Sequence, residues 1–453
     1  MTLPRRVFVA YGIGQLGWAI LVNLVGFWLI YVYRPPAEAG LPLLVVPVAL
    51  SVIAGGGRLF DAVTDPVVAK LSDESSFGRG RRTPFMALGA LPAAAACALL
   101  FVPPVPAVST TNVVWLAVVS VVFYLALTLY GTPYFALLAE LGDRSERIDL
   151  ATAVAVGWAG GLVIAGQASG IWSAVDAATA LGRPAAVQAT VVGLAALAAL
   201  CMYVPVVVID ERTYADPQPS SRALVPTLKA FARNRDFTSY VVADFAYFAG
   251  LTLVLTGMPF YTTVLLFADR PDFGEALVGQ LILAVVLTWV VVYPIVNLAA
   301  KRVGKKPLIR AAFAGLGVVF CAITVLGWLP LSPLAQAFGV AVLAGIPMAV
   351  LSVLPHAALA DVARVDALET GDPQEGMFFA GRTLAQKLGQ SVGLFAFPAL
   401  TILGDQPGDA LGIRLSGVVG AALCLAAFVG FRYYREAWLT DRLRTLDPVA
   451  ADD

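Results

Sequence analysis

The segment "DERTYADPQPSSRALVPTLKAFARNRDF" (residues 210–237) divides the sequence into two long apolar parts. Its first residues are rich in proline and serine, a composition typical of a linker. The later portion, "LVPTLKAFARNR", has the pattern of a basic helix that lies along a membrane surface. Because the two flanking parts have similar length, the segment predicts a chain built from two comparable halves.

The composition excludes an ordinary soluble domain. The chain has 453 residues, of which 59% are hydrophobic and only 13% are charged, whereas soluble domains carry about 25% charged residues. Thirty basic and thirty acidic residues give a formal net charge of zero. We therefore expect a polytopic membrane protein that interacts with the lipid bilayer and not with nucleic acid.

Twelve segments are long and apolar enough to cross a bilayer, which takes about 20 residues. Six precede the linker and six follow it, which predicts an all-α membrane protein with 12 transmembrane helices. The predicted domains are an N-terminal six-helix bundle (1–209), a cytoplasmic linker (210–235), a C-terminal six-helix bundle (236–435) and a cytoplasmic tail (436–453). The predicted spans are 7–33, 41–70, 84–104, 110–139, 150–173, 186–209, 236–267, 274–300, 308–328, 333–359, 376–403 and 410–435.

Basic residues concentrate in alternate loops, which predicts cytoplasmic termini in a bacterial inner (plasma) membrane. Two of these loops echo each other. "GRGRRTP" (78–84) follows the second span and "GKKP" (304–307) follows the eighth, while Glu140 ends the fourth span and Asp361 follows the tenth. Twelve spans in two related halves are the architecture of the major facilitator superfamily.

The stretch "RLFDAVTDP" (58–66) places three charges inside the second span, where each costs roughly 2.5–3.5 kcal/mol. Asp61 and Asp65 are four residues apart, so on a helix they share one face. With Thr64 they supply hard oxygen ligands suited to Na⁺ or to a shared proton. The alternative is that Arg58 and these acids form an internal salt bridge that only fixes the helix.

Charges also occur in the second half, in "GRTLAQKLGQS" (381–391) of the eleventh span. Arg382, Gln386 and Lys387 could bind an anionic substrate group or balance the acids of the second span across the central cavity. Alternatively, the two basic residues only pair with acids to hold the halves together. Asp244 lies near the inner end of the seventh span. There we expect it to snorkel to the interface or to cap backbone groups.

Several stretches resemble the glycoside–pentoside–hexuronide:cation symporters, the melibiose permease family within the major facilitators. They are "YGIGQLGW" (11–18), "RLFDAVTDP" (58–66), "TLYGTPYFALLAEL" (128–141) and "EGMFFAGRTLAQKLGQ" (375–390).

The resemblance implies a site for the coupling ion, Na⁺ or H⁺, and no other cofactor. Asp61 and Asp65 fall on the coupling-cation aspartates of that family, and Thr64 and Thr128 fall on polar ligand positions. If the ion is Na⁺, the resemblance makes Asp61, Asp65 and Thr128 its metal ligands. Lys387 falls on a lysine that lies near both cation and substrate.

The substrate positions depart from the galactoside pattern of that family. Trp18 and Ala19 stand where sugar-binding relatives carry a Lys-Asp pair, Gly131 replaces an aspartate, and Ala155 falls where they carry an arginine. Substrate recognition is then expected from other residues, namely Gln15, Trp18, Asn23, Tyr130, Arg382, Gln386 and Lys387.

The sequence therefore predicts cation-coupled symport of a sugar, a glycoside or a related small organic solute by alternating access, in a monomer. One alternative is a lysophospholipid or another amphiphile as substrate, because the replaced positions are apolar. Another is a membrane sensor that does not transport. An enzyme is not expected, because the single histidine (His356) lies at a span end and no nucleophile motif is present.

Overall fold

The computed structural model describes residues 3–75, 80–142, 144–214, 234–371 and 375–446, and these form helices joined by short connections, with no β-strand element. The predicted linker helix (224–235) lies almost entirely outside the described residues.

Fifteen α-helices are described. The first eight are α1 (Arg5–Tyr33), α2 (Pro47–Asp73), α3 (Thr83–Leu100), α4 (Thr110–Glu140), α5 (Arg144–Gly166), α6 (Ala168–Ala178), α7 (Arg183–Val208) and α8 (Glu211–Tyr214). The others are α9 (Arg235–Phe260), α10 (Pro271–Val303), α11 (Lys305–Ala322), α12 (Pro333–Thr370), α13 (Glu375–Leu400), α14 (Leu411–Gly430) and α15 (Glu436–Leu446).

The twelve predicted spans correspond to these helices. Helices α5 and α6 are interrupted only at Gln167 and form one span, and α9 continues as a π-helix over Tyr261–Leu266. The short α8 and α15 are additional. The all-α, twelve-helix fold class is confirmed.

Ten stretches of the described chain are long and apolar enough to cross a membrane. Helices α2 and α13, with 27 and 26 residues, are also long enough but are less apolar. The reason is their polar and charged residues, including Asp61 and Asp65 in α2 and Arg382 and Lys387 in α13. The two long helices that lack such an apolar stretch are thus the two that carry the predicted functional charges.

The chain forms two compact units. Unit 1 comprises Met1–Ser220, Leu255–Leu283 and Phe395–Ile413, and unit 2 comprises Ser221–Val254, Ala284–Leu394 and Arg414–Asp453. Two segments from the second half of the sequence therefore belong to unit 1. Ion pairs within unit 1 hold them: Arg183 with the fully buried Glu275, and Arg34 with Asp405 at 2.5 Å.

Within unit 1, α1 packs on α5 and α7, α3 packs on α4 and α7, and α2 packs on α4. Small residues make these contacts close. A Cβ atom at Gly57 of α2 would lie 2.5 Å from the ring of Tyr124 in α4. The missing side chain lets α2 and α4 approach closely where the predicted cation residues lie.

The echo between the two loops has a structural counterpart within each unit. In unit 1, Arg81 and Arg82 each lie 2.8 Å from Glu140, and Glu211 accepts hydrogen bonds from backbone N–H groups at the start of α3.

In unit 2, Lys305 pairs with Asp361, and Glu436 accepts from the backbone N–H groups of Lys305 and Lys306 at the start of α11. In both units a glutamate satisfies otherwise unpaired N–H groups at a helix N-terminus, where a negative charge is favourable.

Candidate cation site and substrate residues

Two rows of oxygen-bearing side chains face each other between α2 and α4. Thr128 Oγ1 donates to Asp61 Oδ1 at 2.7 Å, and Thr132 Oγ1 donates to Asp65 Oδ1 at 3.1 Å. The two pairs have the same offset in residue number, so α2 and α4 run parallel and in register here. We call these four residues the carboxylate–threonine ladder.

The two carboxylates of the ladder differ in accessibility. Asp61 and Thr128 are each only 2% exposed, whereas Asp65 and Thr132 are half-buried. Asp65 is therefore the carboxylate that a solute can reach with less rearrangement.

Thr64 adds a third hydroxyl to the ladder. Its Oγ1 lies 3.4 Å from Thr128 Oγ1, and its proton can be donated to the backbone oxygen of Phe60 or Asp61, each 3.1 Å away. The structure thus brings together all four predicted cation residues, Asp61, Thr64, Asp65 and Thr128. Whether they bind a cation stays a prediction.

Arg58 forms the internal salt bridge that we considered as an alternative. Its Nη1 lies 2.7 Å from Asp61 Oδ2, and Arg58 is 8% exposed. Asp61 therefore places one oxygen against Arg58 and the other against Thr128.

Sequence reasoning missed Thr132. The available signal was its spacing, because Thr132 lies four residues after Thr128 just as Asp65 lies four after Asp61. No group of three or more His, Cys, Asp or Glu side chains suited to a metal occurs in the described ranges. The ladder instead offers carboxylate and hydroxyl oxygens, which are the ligands that hard cations such as Na⁺ bind.

Two of the apolar substitutions at predicted substrate positions meet in space. The Trp18 ring packs edge-on against Phe135 at 5.5 Å and tilted against Trp158 at 5.8 Å. A Cβ atom at Gly131 would lie 3.0 Å from Trp18 Nε1. Where the resemblance implies charged groups, this chain has an aromatic cluster of the half-buried Trp18 and Trp158 and the exposed Phe135.

Three other predicted substrate residues lie in the interior of unit 1. Gln15 and Tyr130 are buried, and the Tyr130 ring stacks on Tyr134 at 5.5 Å. Asn23 Nδ2 donates to the carbonyl of Ala19 at 2.8 Å. Their role in substrate binding stays a prediction.

The expectation that Asp244 snorkels to the interface or caps backbone groups is wrong, because the residue is buried against an arginine. It is 4% exposed, and its Oδ2 lies 3.3 Å from Arg382 Nε, with Arg382 itself 7% exposed. The glycines Gly389 and Gly393 of α13 pack against the backbone of α9 at Phe245 and Ala249, which brings the two helices close. Sequence position alone did not reveal the partner because it lies on another helix.

Arg382 also contacts the only histidine. Its Nη1 lies 2.7 Å from His356 Nε2. A guanidinium can only donate, so His356 Nε2 must accept, and the imidazole is neutral with its proton on Nδ1. Arg382 thus contacts both Asp244 and His356 within unit 2. We call these three residues the Asp244 clasp. Lys387 and Gln386 lie half-buried about one turn further along α13.

Residues 10–431 match the sequence profile of the family described as "MFS/sugar transport protein". The chain belongs to this family. Because the match covers almost all of the twelve spans, membership applies to the whole membrane region of this MFS protein.

Relatives of this MFS protein include symporters. It is 32% identical over 148 residues to the uncharacterized symporter sll1374 of Synechocystis sp., covering 31% of this chain and 26% of that protein. It is 30% identical over 146 residues to the sodium-dependent lysophosphatidylcholine symporter 1-A of Danio rerio, covering 32% of this chain and 26% of that protein. The matched stretches span about a quarter of the length of these relatives.

Solved transporter structures share the fold at low sequence identity. A mutant form of the nucleoside transporter NupG superimposes with a TM-score of 0.66 at 10% identity, covering 95% of this chain and 99% of that one. A bacterial homolog of the human lysosomal transporter Spinster gives a TM-score of 0.65 at 12% identity, covering 96% and 98%. The predicted major facilitator fold is confirmed.

Proposed function

We propose that this MFS protein is a secondary active symporter that couples uptake of a small organic solute to Na⁺ or H⁺ by alternating access. The observation that carries the proposal is the carboxylate–threonine ladder between α2 and α4. The symporter names of the relatives give further support.

The donor atoms of the ladder support binding of a single monovalent cation. Asp61 Oδ1 and Asp65 Oδ1 each accept a hydrogen bond from a threonine hydroxyl of α4, and those hydroxyl oxygens keep lone pairs that can bind a cation. Carboxylate and hydroxyl oxygens are hard ligands. In the proposal, one Na⁺ binds among the ladder oxygens, or one proton binds at Asp65.

Coupling then follows from linkage between two binding events. If the ion and the solute each favour the same arrangement of the ladder and its surroundings, each raises the affinity for the other by the same factor. Carriers loaded with only one of the two have an incomplete site, and in the proposal they reorient slowly.

A sugar or glycoside is the first candidate substrate, because the family is described by sugar transport. A lysophospholipid is the second candidate. It is favoured by the apolar Trp18–Phe135–Trp158 cluster, by Gly131 beside it, and by the activity that the name of the Danio rerio relative states. In either case we propose Lys387 as a substrate contact, with an anionic group as its partner for the lipid.

In this proposal the protein is a monomer of the bacterial inner (plasma) membrane with cytoplasmic termini, and the coupling ion is its only cofactor. It acts without enzymatic chemistry. Counterflow in proteoliposomes separates this proposal from a sensor, because a sensor shows no exchange of labelled substrate.

A ligand screen identifies the substrate. Purified full-length protein is heated with sugars, glycosides, uronates or lysophosphatidylcholine, each with and without Na⁺. A ligand that binds the folded state stabilises it by RT ln(1 + [L]/Kd). A hit whose effect grows with Na⁺ supports coupling, and a hit only among lysolipids selects the second candidate.

The coupling claim is tested in proteoliposomes with an imposed Na⁺ or H⁺ gradient and the substrate found in the screen. Asp65→Asn removes the half-buried carboxylate of the ladder and is expected to abolish gradient-driven accumulation while leaving exchange of substrate. Asp269→Asn, at an exposed aspartate outside the ladder, is the matched control and should behave as wild type. Gradient-driven accumulation by Asp65→Asn would overturn the ladder as the coupling site.

A further inference from the structure

A groove of about 600 Å³ lies between the start of α1 and the end of α7, both in unit 1. Its walls are apolar, and two arginines stand at one end. Along α1, Arg5, Val9 and Ile13 follow each other at four-residue steps, so they form one stripe that runs from the helix end into the membrane-spanning part. On α7 the facing stripe is Val204, Val207 and Val208.

The groove lies beside a close contact between the two helices. Deeper along α1, Gly14 packs against the ring of Pro205 in α7, and a Cβ atom at Gly14 would lie 2.6 Å from it. Gly17 likewise lies against the backbone of Ala198. In the groove itself, Val9 and Val207 are 61% and 71% exposed, so its apolar walls are open to the surroundings.

The two arginines are available for an external anion. Both are exposed, and neither takes part in an ion pair within the part of the chain that the structure describes. Arg6 makes a long hydrogen bond of 3.4 Å to the hydroxyl of Tyr214. No acidic side chain is among the described residues that line the groove.

We propose that this groove is a binding site for one anionic phospholipid. The guanidinium groups of Arg5 and Arg6 hold the phosphate, since Arg presents paired N–H donors that fit phosphate oxygens. An acyl chain lies along the valine stripes, which belong to membrane-spanning helices. Basic pockets between transmembrane helices are a known type of site for acidic lipid headgroups.

Charge complementarity selects this occupant over others. A zwitterionic phospholipid brings a choline group whose positive charge offsets the attraction of two arginines. Free phosphate meets the arginines but leaves the apolar stripes without a ligand. An anionic phospholipid satisfies both ends of the groove.

Lipid retention measured by native mass spectrometry tests the proposal. The full-length protein in detergent is titrated with phosphatidylglycerol or with phosphatidylcholine of the same acyl chains. We expect phosphatidylglycerol to bind more tightly. Each arginine near the headgroup contributes about a fivefold gain in affinity, so Arg5→Gln/Arg6→Gln should weaken phosphatidylglycerol binding about thirtyfold and leave phosphatidylcholine unchanged.

Two variants keep this test specific. Lys301→Gln/Arg302→Gln removes an exposed basic pair at the end of α10, in unit 2, and should leave phosphatidylglycerol affinity unchanged. Val207→Trp fills the groove while keeping both arginines, and should also weaken phosphatidylglycerol binding. Thermal midpoints of all variants are compared to confirm that each is folded.

Three outcomes would overturn the proposal. They are equal affinity for phosphatidylcholine and phosphatidylglycerol, full affinity of the Arg5→Gln/Arg6→Gln variant, and displacement of the lipid by inorganic phosphate alone. The last result would mean that the arginines recognise a phosphate group without the lipid. Because the assay needs no transport, its outcome is independent of the proposed symport.

Discussion

Two buried aspartates of this MFS protein are both neutralised by arginine, but in different ways. Asp61 pairs with Arg58 of its own helix and also accepts from Thr128 of the neighbouring helix. Asp244 pairs with Arg382 of a different helix, and that arginine also contacts His356 of a third. The first arrangement leaves the α2–α4 interface to hydroxyl groups, whereas the second uses the ion pair itself to join helices.

The difference matters for ion binding. The ladder places two carboxylates and two hydroxyl groups on neighbouring helices, whereas the Asp244 clasp contains a single carboxylate that is paired with Arg382. Of the two groups, the ladder therefore has the set of hard oxygen atoms that a cation needs. The comparison predicts that changes in the ladder alter coupling, while changes in the clasp alter stability and spare coupling.

The largest effect is expected for Asp61→Asn. This change leaves the Arg58 guanidinium buried without its carboxylate, which costs about 3–5 kcal/mol in comparable pairs. We expect a strong loss of thermal stability in detergent together with loss of gradient-driven uptake.

The control for Asp61→Asn is the double variant Arg58→Met/Asp61→Leu, which removes both charges together. It should recover most of the stability, because no unpaired charge remains, but it should not recover coupled uptake. If Asp61→Asn alone is as stable as wild type, other groups are adequate partners of Arg58. The comparison between the ladder and the Asp244 clasp then loses its basis.

Asp244→Asn should affect stability and spare coupling. The change leaves the buried Arg382 guanidinium without its carboxylate, so the expected cost in stability is of the same order as for Asp61→Asn, about 3–5 kcal/mol. We expect a lower thermal midpoint, while the ratio of uptake with and without an ion gradient stays at the wild-type value. A changed ratio in folded protein would place Asp244 in the coupling mechanism and merge the two regions.

The two threonines of the ladder should differ in a graded way. Thr128→Val removes a short, buried hydrogen bond to a carboxylate, and we expect the ion concentration for half-maximal uptake to rise about tenfold. Thr132→Val removes a longer bond at a half-buried site, so the rise should be a few-fold. The ion dependence of uptake measures both, and the reverse order would contradict the assignment of Asp61 and Thr128 to the enclosed part of the site.

The smallest effect is expected for His356→Gln. The glutamine oxygen can accept from Arg382 in place of the imidazole, so stability should change by about 1 kcal/mol or less. Because the contact with Arg382 keeps His356 neutral, the pH dependence of uptake should match wild type. A shifted pH profile would show that this histidine takes up a proton during transport.

Much of the fold followed from local properties of the sequence. Hydropathy predicted twelve spans, and the spacing of Asp61 and Asp65 predicted a shared helix face, because both depend only on the residues of one segment. The resemblance to a known symporter family supplied Thr128, which spacing within α2 could not. Thr132 was missed although its spacing repeats that of Asp65.

Other features depended on contacts between segments distant in sequence. The sequence alone determined the spans, their charged residues and the echo between the loops at Arg81–Arg82 and Lys305–Lys306. Only the tertiary structure decided that Arg382 is the partner of Asp244, that residues 255–283 and 395–413 pack in unit 1, and that residues of α1 and α7 line one groove. The physical reason is that hydropathy and helical periodicity are properties of single helices, whereas the partner of a buried charge is set by the register between helices.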